Sequence, residues 1–173
     1  MRTRWDQAFI DYSCNKLQQL SERICTCLDR LNHEQIWHRG SANENAIGNL
    51  ILHLCGNVRQ WVGFGVDGRL DTRKRDEEFA AQGASEGRDL KGYLRSAVAE
   101  AVRVIRGLTP ERLEQTTRIQ AYEVTVLQAV YHVVEHFSGH TGQIIFSTKH
   151  FTGEDLGFYS HLRDPKSPSQ EVP

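Results

Sequence analysis

Gln128, His132, His136, His140 and Gln143 recur along an otherwise apolar stretch running from Val126 to His150. Steps of four residues turn only about 40° around a helix, so on a helix these side chains share one face, a turn apart. Two histidines at that spacing can chelate one ion, and imidazole suits zinc, nickel, copper or iron. Burying several imidazoles without partners is costly, whereas a metal takes one ring nitrogen and leaves the other to donate outward. The surrounding residues are Val126, Leu127, Ala129, Val130, Val133, Val134, Phe137, Ile144, Ile145 and Phe146. A helix apolar nearly all round is normally buried, which argues against a solvated histidine face. Spacing alone does not choose between His132 with His136 and His136 with His140.

A third ligand has to come from another element. His53 stands in the apolar run Leu50-Ile51-Leu52-His53-Leu54-Cys55, about 100° from Leu54 on a helix, at the flank of the apolar face. By itself it is a weak pointer. Cys55 lies about 200° round from His53 and cannot join the same ion. His33, His38, His150 and His161 fall near turns or ends and are expected at the surface. His132-Val133-Val134-Glu135-His136 also spells H-x-x-E-H, the inverted zinc-peptidase pattern. That pattern needs a further ligand far downstream in a much larger catalytic domain, so the match is read as coincidence.

Four stretches of helical periodicity must position these residues. They run roughly from Trp5 to Arg30, Ala46 to Phe64, Asp89 to Arg106 and Val126 to His150. Ser41, Asn43 and Asn45 are the capping candidates for the second. Thr125 and Gln128 have capping-box spacing at the start of the fourth. Asn32 and Thr109-Pro110 each open a short helical turn after the first and third. Between the halves, the polar segment Asp67 to Arg88 is longer than a tight connection needs and can run back along a bundle. The expected fold is therefore an all-α four-helix bundle, up-down-down-up, with a long crossover between its second and third helices. The expected domain is residues 1–163, with the Pro-rich tail 164–173 disordered. Leu156-Gly157-Phe158-Tyr159 is apolar enough to dock onto the bundle. Gly48 and Gly56 interrupt the second helix, and Gly139 and Gly142 the fourth. Each costs about 1 kcal/mol in a helix interior. Close helix–helix approach or local bending would each account for them.

The 173 residues carry a net charge of -1 with both signs interspersed. No basic stripe exists to track a phosphate backbone, so nucleic acid is not an expected partner. No run approaches the ~20 apolar residues of a membrane span. The opening residues lack a signal-peptide apolar region, and the expected address is the cytoplasm. Cys14, Cys25, Cys27 and Cys55 show no zinc-ribbon spacing and read as reduced, mostly buried thiols.

Two segments resemble the DinB/YfiT-like superfamily of metal-dependent four-helix-bundle proteins. Asn45-Ala46-Ile47-Gly48-Asn49-Leu50-Ile51-Leu52-His53-Leu54 is similar to its second-helix motif. His136-Phe137-Ser138-Gly139-His140-Thr141-Gly142-Gln143-Ile144 is similar to its H-x-x-x-H-x-G-Q motif. Leu54 to Trp61 and Gly157-Phe158-Tyr159 look like a subgroup with no assigned reaction. The resemblance implies His53, His136 and His140 as ligands, with His132, Gln143 and Asn57 in the pocket. It implies a divalent transition metal, zinc or nickel foremost, and a low-molecular-weight thiol as cosubstrate of a transferase acting on a small molecule. Relatives are commonly dimers, so a homodimer is among the expected partners. Metal-assisted hydrolysis and a non-enzymatic metal-binding or dimerisation module are the alternatives. The first lacks a carboxylate on the ligand face of the fourth helix, Glu135 pointing about 100° away from His136.

Overall fold

A computed structural model describes residues 5–83 and 89–163. The expected tail, 164–173, and the last part of the crossover lie outside the described residues. Four long helices make the bundle: α1 (Trp5–Leu28), α3 (Ile47–Val58), α5 (Leu90–Arg106) and α7 (Val126–Thr152). The short helical turns α2 (His33–Trp37) and α6 (Pro110–Glu114) stand where their capping signals put them. Asn32 accepts from the Gln35 backbone N–H at 2.9 Å, and Thr109 from that of Arg112 at 3.3 Å. At Thr125 and Gln128 the capping is reciprocal, each accepting from the other's backbone N–H, which fixes where α7 begins. It ends at Gly153, whose φ of 68° lies in the left-handed region that favours a residue without Cβ.

Each of α1 and α3 packs against both α5 and α7. Cross-helix contacts give the directions. Cys14 meets Val102 while Glu22 meets Arg95, so α1 and α5 are antiparallel. His53 meets His140 while Trp61 meets His132, so α3 and α7 are antiparallel. Arg30, just past the end of α1, meets Glu154, just past the end of α7, so those two helices run parallel and the order is up-down-down-up. The shared core holds Leu17, Ile24, Ile51, Leu54, Leu94, Ile105, Phe137 and Ile144, all fully buried. Burying a side chain of this size stabilises the fold by about 2 kcal/mol. Leu156 is buried and Phe158 packs on the core, with the Arg23 guanidinium over the Phe158 and Tyr159 rings. That segment docks as its composition predicts.

Three features depart from the sequence reading. The second helix changes character at Arg59, continuing to Phe64 as a wider π-helical turn. The crossover contains a helix of its own, α4 (Arg75–Ala80), packed on α3. Residues 116–125 form a hairpin, β1 (Thr116–Ile119) with β2 (Tyr122–Thr125), closing one end of the bundle. Its Ile119 is buried against Gly65, where a Cβ would collide with it. The cap of α3 is a further correction. Asn49, inside the helix, accepts from the Ala46 N–H at 3.2 Å, in place of Ser41, Asn43 or Asn45. No helix among the described residues is long and apolar enough to cross a membrane.

Candidate metal centre

His53, His136 and His140 meet in the seam between α3 and α7. Nε2 of His136 lies 3.1 Å from Nε2 of His53 and 3.2 Å from Nε2 of His140. One ligand atom from each histidine falls within 4.8 Å of the other two. Zinc–imidazole bonds of about 2.0–2.1 Å put ligand nitrogens of one tetrahedral ion ~3.3 Å apart, so the donor set fits a single divalent ion. This is the one such group of His, Cys, Asp and Glu among the described residues. Three ring nitrogens turned on one another cannot all be satisfied by protons, because a neutral imidazole carries only one N–H.

The outer nitrogens are held from both sides. His140 Nδ1 donates to Gln143 Oε1 at 2.7 Å. His53 Nδ1 lies 3.1 Å from Glu78 Oε2 and 3.0 Å from Arg73 Nη2. One nitrogen cannot donate to the carboxylate and accept from the guanidinium together. With Nε2 as the ligand atom, Nδ1 carries the proton and donates to Glu78, which orients the ring and raises its basicity. Arg73 is then engaged by the carboxylate itself, through Nε and Nη2 at 2.8 Å each. The side chains of Arg73 and Glu78 are 5% and 10% exposed, so the pair is shielded from water. Burial alone would raise the Glu78 carboxyl, but the hydrogen bonds from Arg73 and His53 outweigh it and keep it below its ordinary value. Desolvation, reinforced by the neighbouring histidines, holds His136 down to about 3. Burial also lowers His140 and His132. Their lone pairs are therefore available for coordination at neutral pH.

Sequence reasoning missed Glu78, Arg73 and Asn49. Asn49 sits one turn before His53, fully buried, and its amide donates to the Glu78 and Ala81 carbonyls at 2.9 and 3.0 Å. It thereby ties α4 to α3 at the level where Glu78 meets His53. A polar Asn four residues before His53 on an apolar helix was the available signal. Gly56 explains the close approach: a Cβ there would strike the Glu78 carboxylate and crowd Arg73. Gly48 is likewise covered by the Trp37 ring, which a Cβ there would strike. Both glycines of α3 thus admit α2 and the crossover rather than α7. Gly139 and Gly142 face open space and do not mediate helix approach. They border a cleft of about 900 Å³, reached also by Leu50, Gln143 and Phe146.

His132 stays outside the three-nitrogen cluster. Its ring lies 3.9 Å from that of Trp61 and stacks on His136 at 5.6 Å. Asn57 is buried in the same seam, one turn beyond His53. Gln143 is exposed and meets the cluster only through His140. His33, His38 and His150 are exposed, and His161 is half-buried. Glu135 is exposed on the outer face of α7, so the H-x-x-E-H string does not form a peptidase site. All four cysteines are buried thiols outside any disulfide. Burial raises the Cys14, Cys25 and Cys27 thiols, which suits packing rather than nucleophilic chemistry.

Among solved structures, the chain is similar to the DinB-like protein YjoA from Bacillus subtilis, with a TM-score of 0.65 and 14% identity over 88% of this chain and 96% of that one. It is similar to a conserved protein from Enterococcus faecalis, with a TM-score of 0.66 and 16% identity over 88% of this chain and 99% of that one. At these identities the likeness speaks for the fold alone. No curated protein matches the chain. Residues 4–164 match the family described as Protein of unknown function (DUF1572). The chain belongs to that family, and its fold is the DinB-like helical bundle.

Proposed function

We propose that the protein is a divalent-metal-dependent transferase that activates a low-molecular-weight thiol against an electrophilic small molecule. The observation that carries this reading is the convergence of three Nε2 atoms, two of them with their Nδ1 atoms already held by Glu78 and Gln143. Three protein ligands are the pattern of catalytic rather than structural sites. A divalent ion held by His53, His136 and His140 would supply Lewis acidity, favouring the deprotonated form of a thiol at neutral pH. Zinc and nickel suit an all-imidazole donor set.

The chain's own groups prepare the site. Glu78, itself pinned by Arg73, fixes the tautomer and orientation of His53, and Gln143 does the same for His140. Gly139 and Gly142 leave the cleft beside Gln143 unfilled, giving a small molecule room to approach. Four reduced thiols are compatible with a cytoplasmic setting, where small thiols are abundant. Hydrolysis is less favoured. Glu78, the carboxylate against the cluster, is committed to Arg73 and His53 and is poorly placed to accept a proton from water.

The test is incubation of metal-loaded protein, prepared without a histidine tag, with cellular thiols and a generic electrophile. Conjugation that requires the metal and disappears in His53→Ala is the expected result. Metal-dependent ester hydrolysis without conjugation would move the assignment to a hydrolase. Tight metal binding with neither activity would make it a binding module.

A further inference from the structure

Among the described residues, four buried side-chain atoms have no hydrogen-bond partner: Ser21 Oγ, Asn57 Oδ1, Trp61 Nε1 and His136 Nδ1. Three of the four belong to the α3–α7 seam, beside the histidine cluster. A buried polar group left unpaired is costly and uncommon, so their gathering in one place calls for a ligand. The packing shows why they gather. His53 is level with His136 and His140, and Trp61 is level with His132. Asn57 lies between His53 and Trp61 on α3, and so faces the stretch of α7 between His136 and His132. Asn57 and Trp61 are each only 5% exposed. The π-helical turn beginning at Arg59 carries Trp61 into this position, and such turns recur at functional sites.

The polarity of the three atoms is specific. Indole Nε1 is a donor only, and Oδ1 of an amide is an acceptor only. With Nε2 of His136 committed to the cluster, its proton sits on Nδ1, making that atom a donor too; this assignment rests on the metal reading above. Two donors and one acceptor complement a hydroxyl oxygen, which accepts through two lone pairs and donates one O–H. A carboxylate or carbonyl would set its lone pairs against Asn57 Oδ1, and an ammonium would meet two N–H groups.

We propose that Asn57, Trp61 and His136 Nδ1 form a subsite for one uncharged hydroxylic oxygen, next to the metal centre and separate from the cleft at Gln143. That oxygen is supplied either by a trapped water or by a hydroxyl group on the substrate.

Crystallography of the metal-free protein, joined to NMR of the indole N–H groups, tests the subsite and its source. Trp61→Phe identifies the Trp61 resonance and removes the donor while keeping the ring; Asn57→Leu removes the acceptor. An ordered oxygen between Asn57 and Trp61, lost in both variants, supports the subsite with water as occupant. A Trp61 N–H resonance that moves with 2-mercaptoethanol but not with ethanethiol supports a substrate hydroxyl. In that case 2-mercaptoethanol binds about 3- to 10-fold more tightly than ethanethiol, and either variant removes the difference. No oxygen density together with no response to either thiol overturns the proposal, as does a direct bond between Asn57 and His136. Metal affinity, measured on the same samples by calorimetry, reports separately. Absence of metal binding with the oxygen present would sink the transferase reading and leave a subsite held by Asn57 and Trp61.

Discussion

Two seams of the bundle are built in opposite ways. Between α1 and α5, Leu17, Ile24, Leu94, Val98 and Ile105 bury apolar surface, and charge is kept to the rim in Glu22–Arg95 and Asp29–Lys91. Between α3 and α7, the same kind of helix pair encloses His53, Asn57, Trp61, His136 and His140, with three polar atoms unpaired. On α1 a single buried side-chain atom, Ser21 Oγ, has no partner, whereas the second seam gathers three such atoms beside the histidine cluster. Under the proposed function, stability and metal binding draw on different faces of one scaffold, so mutations in the two seams should separate cleanly.

The largest effect expected is loss of metal affinity in His53→Ala, by at least about 1,000-fold, or ~4 kcal/mol of binding. Helicity by circular dichroism should stay unchanged, and calorimetric titration with zinc or nickel measures the loss. Leu17→Ala, in the apolar seam, should cost about 3 kcal/mol in urea unfolding through the cavity it leaves. Its metal affinity should match that of the parent, and if it falls in step with stability the division between seams is wrong. Glu78→Gln keeps the shape of the carboxylate but removes its charge, and should weaken metal binding about 10- to 100-fold.

Acidification tests the histidine seam in the metal-free protein. His136 is held near 3 in the folded state against an ordinary value of about 6.5. The unfolded chain therefore binds more protons across that window, and stability is lost as pH falls from about 6.5 towards 3. Between pH 7 and pH 5 the loss should be about 1–2 kcal/mol, allowing for the partial exposure of the ring. Urea titrations at the two values measure it, and bound metal should oppose it. The smallest effect belongs to the rim. Arg95→Ala should change stability by less than about 1 kcal/mol, because both partners of its ion pair are exposed.

The four long helices, the caps of the short turns at Asn32 and Thr109, the cap of α7 at Thr125, and the histidine stripe were legible because each is written in local spacing. His53 was named by likeness to a motif, since one histidine on the flank of an apolar helix carries little information of its own. Glu78 was not legible. It lies 25 residues from His53 in a polar segment that reads as a connection, and nothing local marks it as the partner of that histidine. The π-helical turn and the hairpin were missed for a related reason: tertiary packing around Trp61 and Ile119 overrides a weak local pattern.

The sequence by itself determined which side chains share a helix face, because residues three and four apart are neighbours whatever surrounds them. It thereby set His136 beside His140 and aligned Asn49, His53 and Asn57. Only the tertiary structure decided which faces meet. The antiparallel pairing of α3 with α7 brings His53 to the other two histidines, and the crossover's return path delivers Glu78 behind it. Those contacts depend on burial summed over the whole bundle, a quantity that no short stretch of the chain contains.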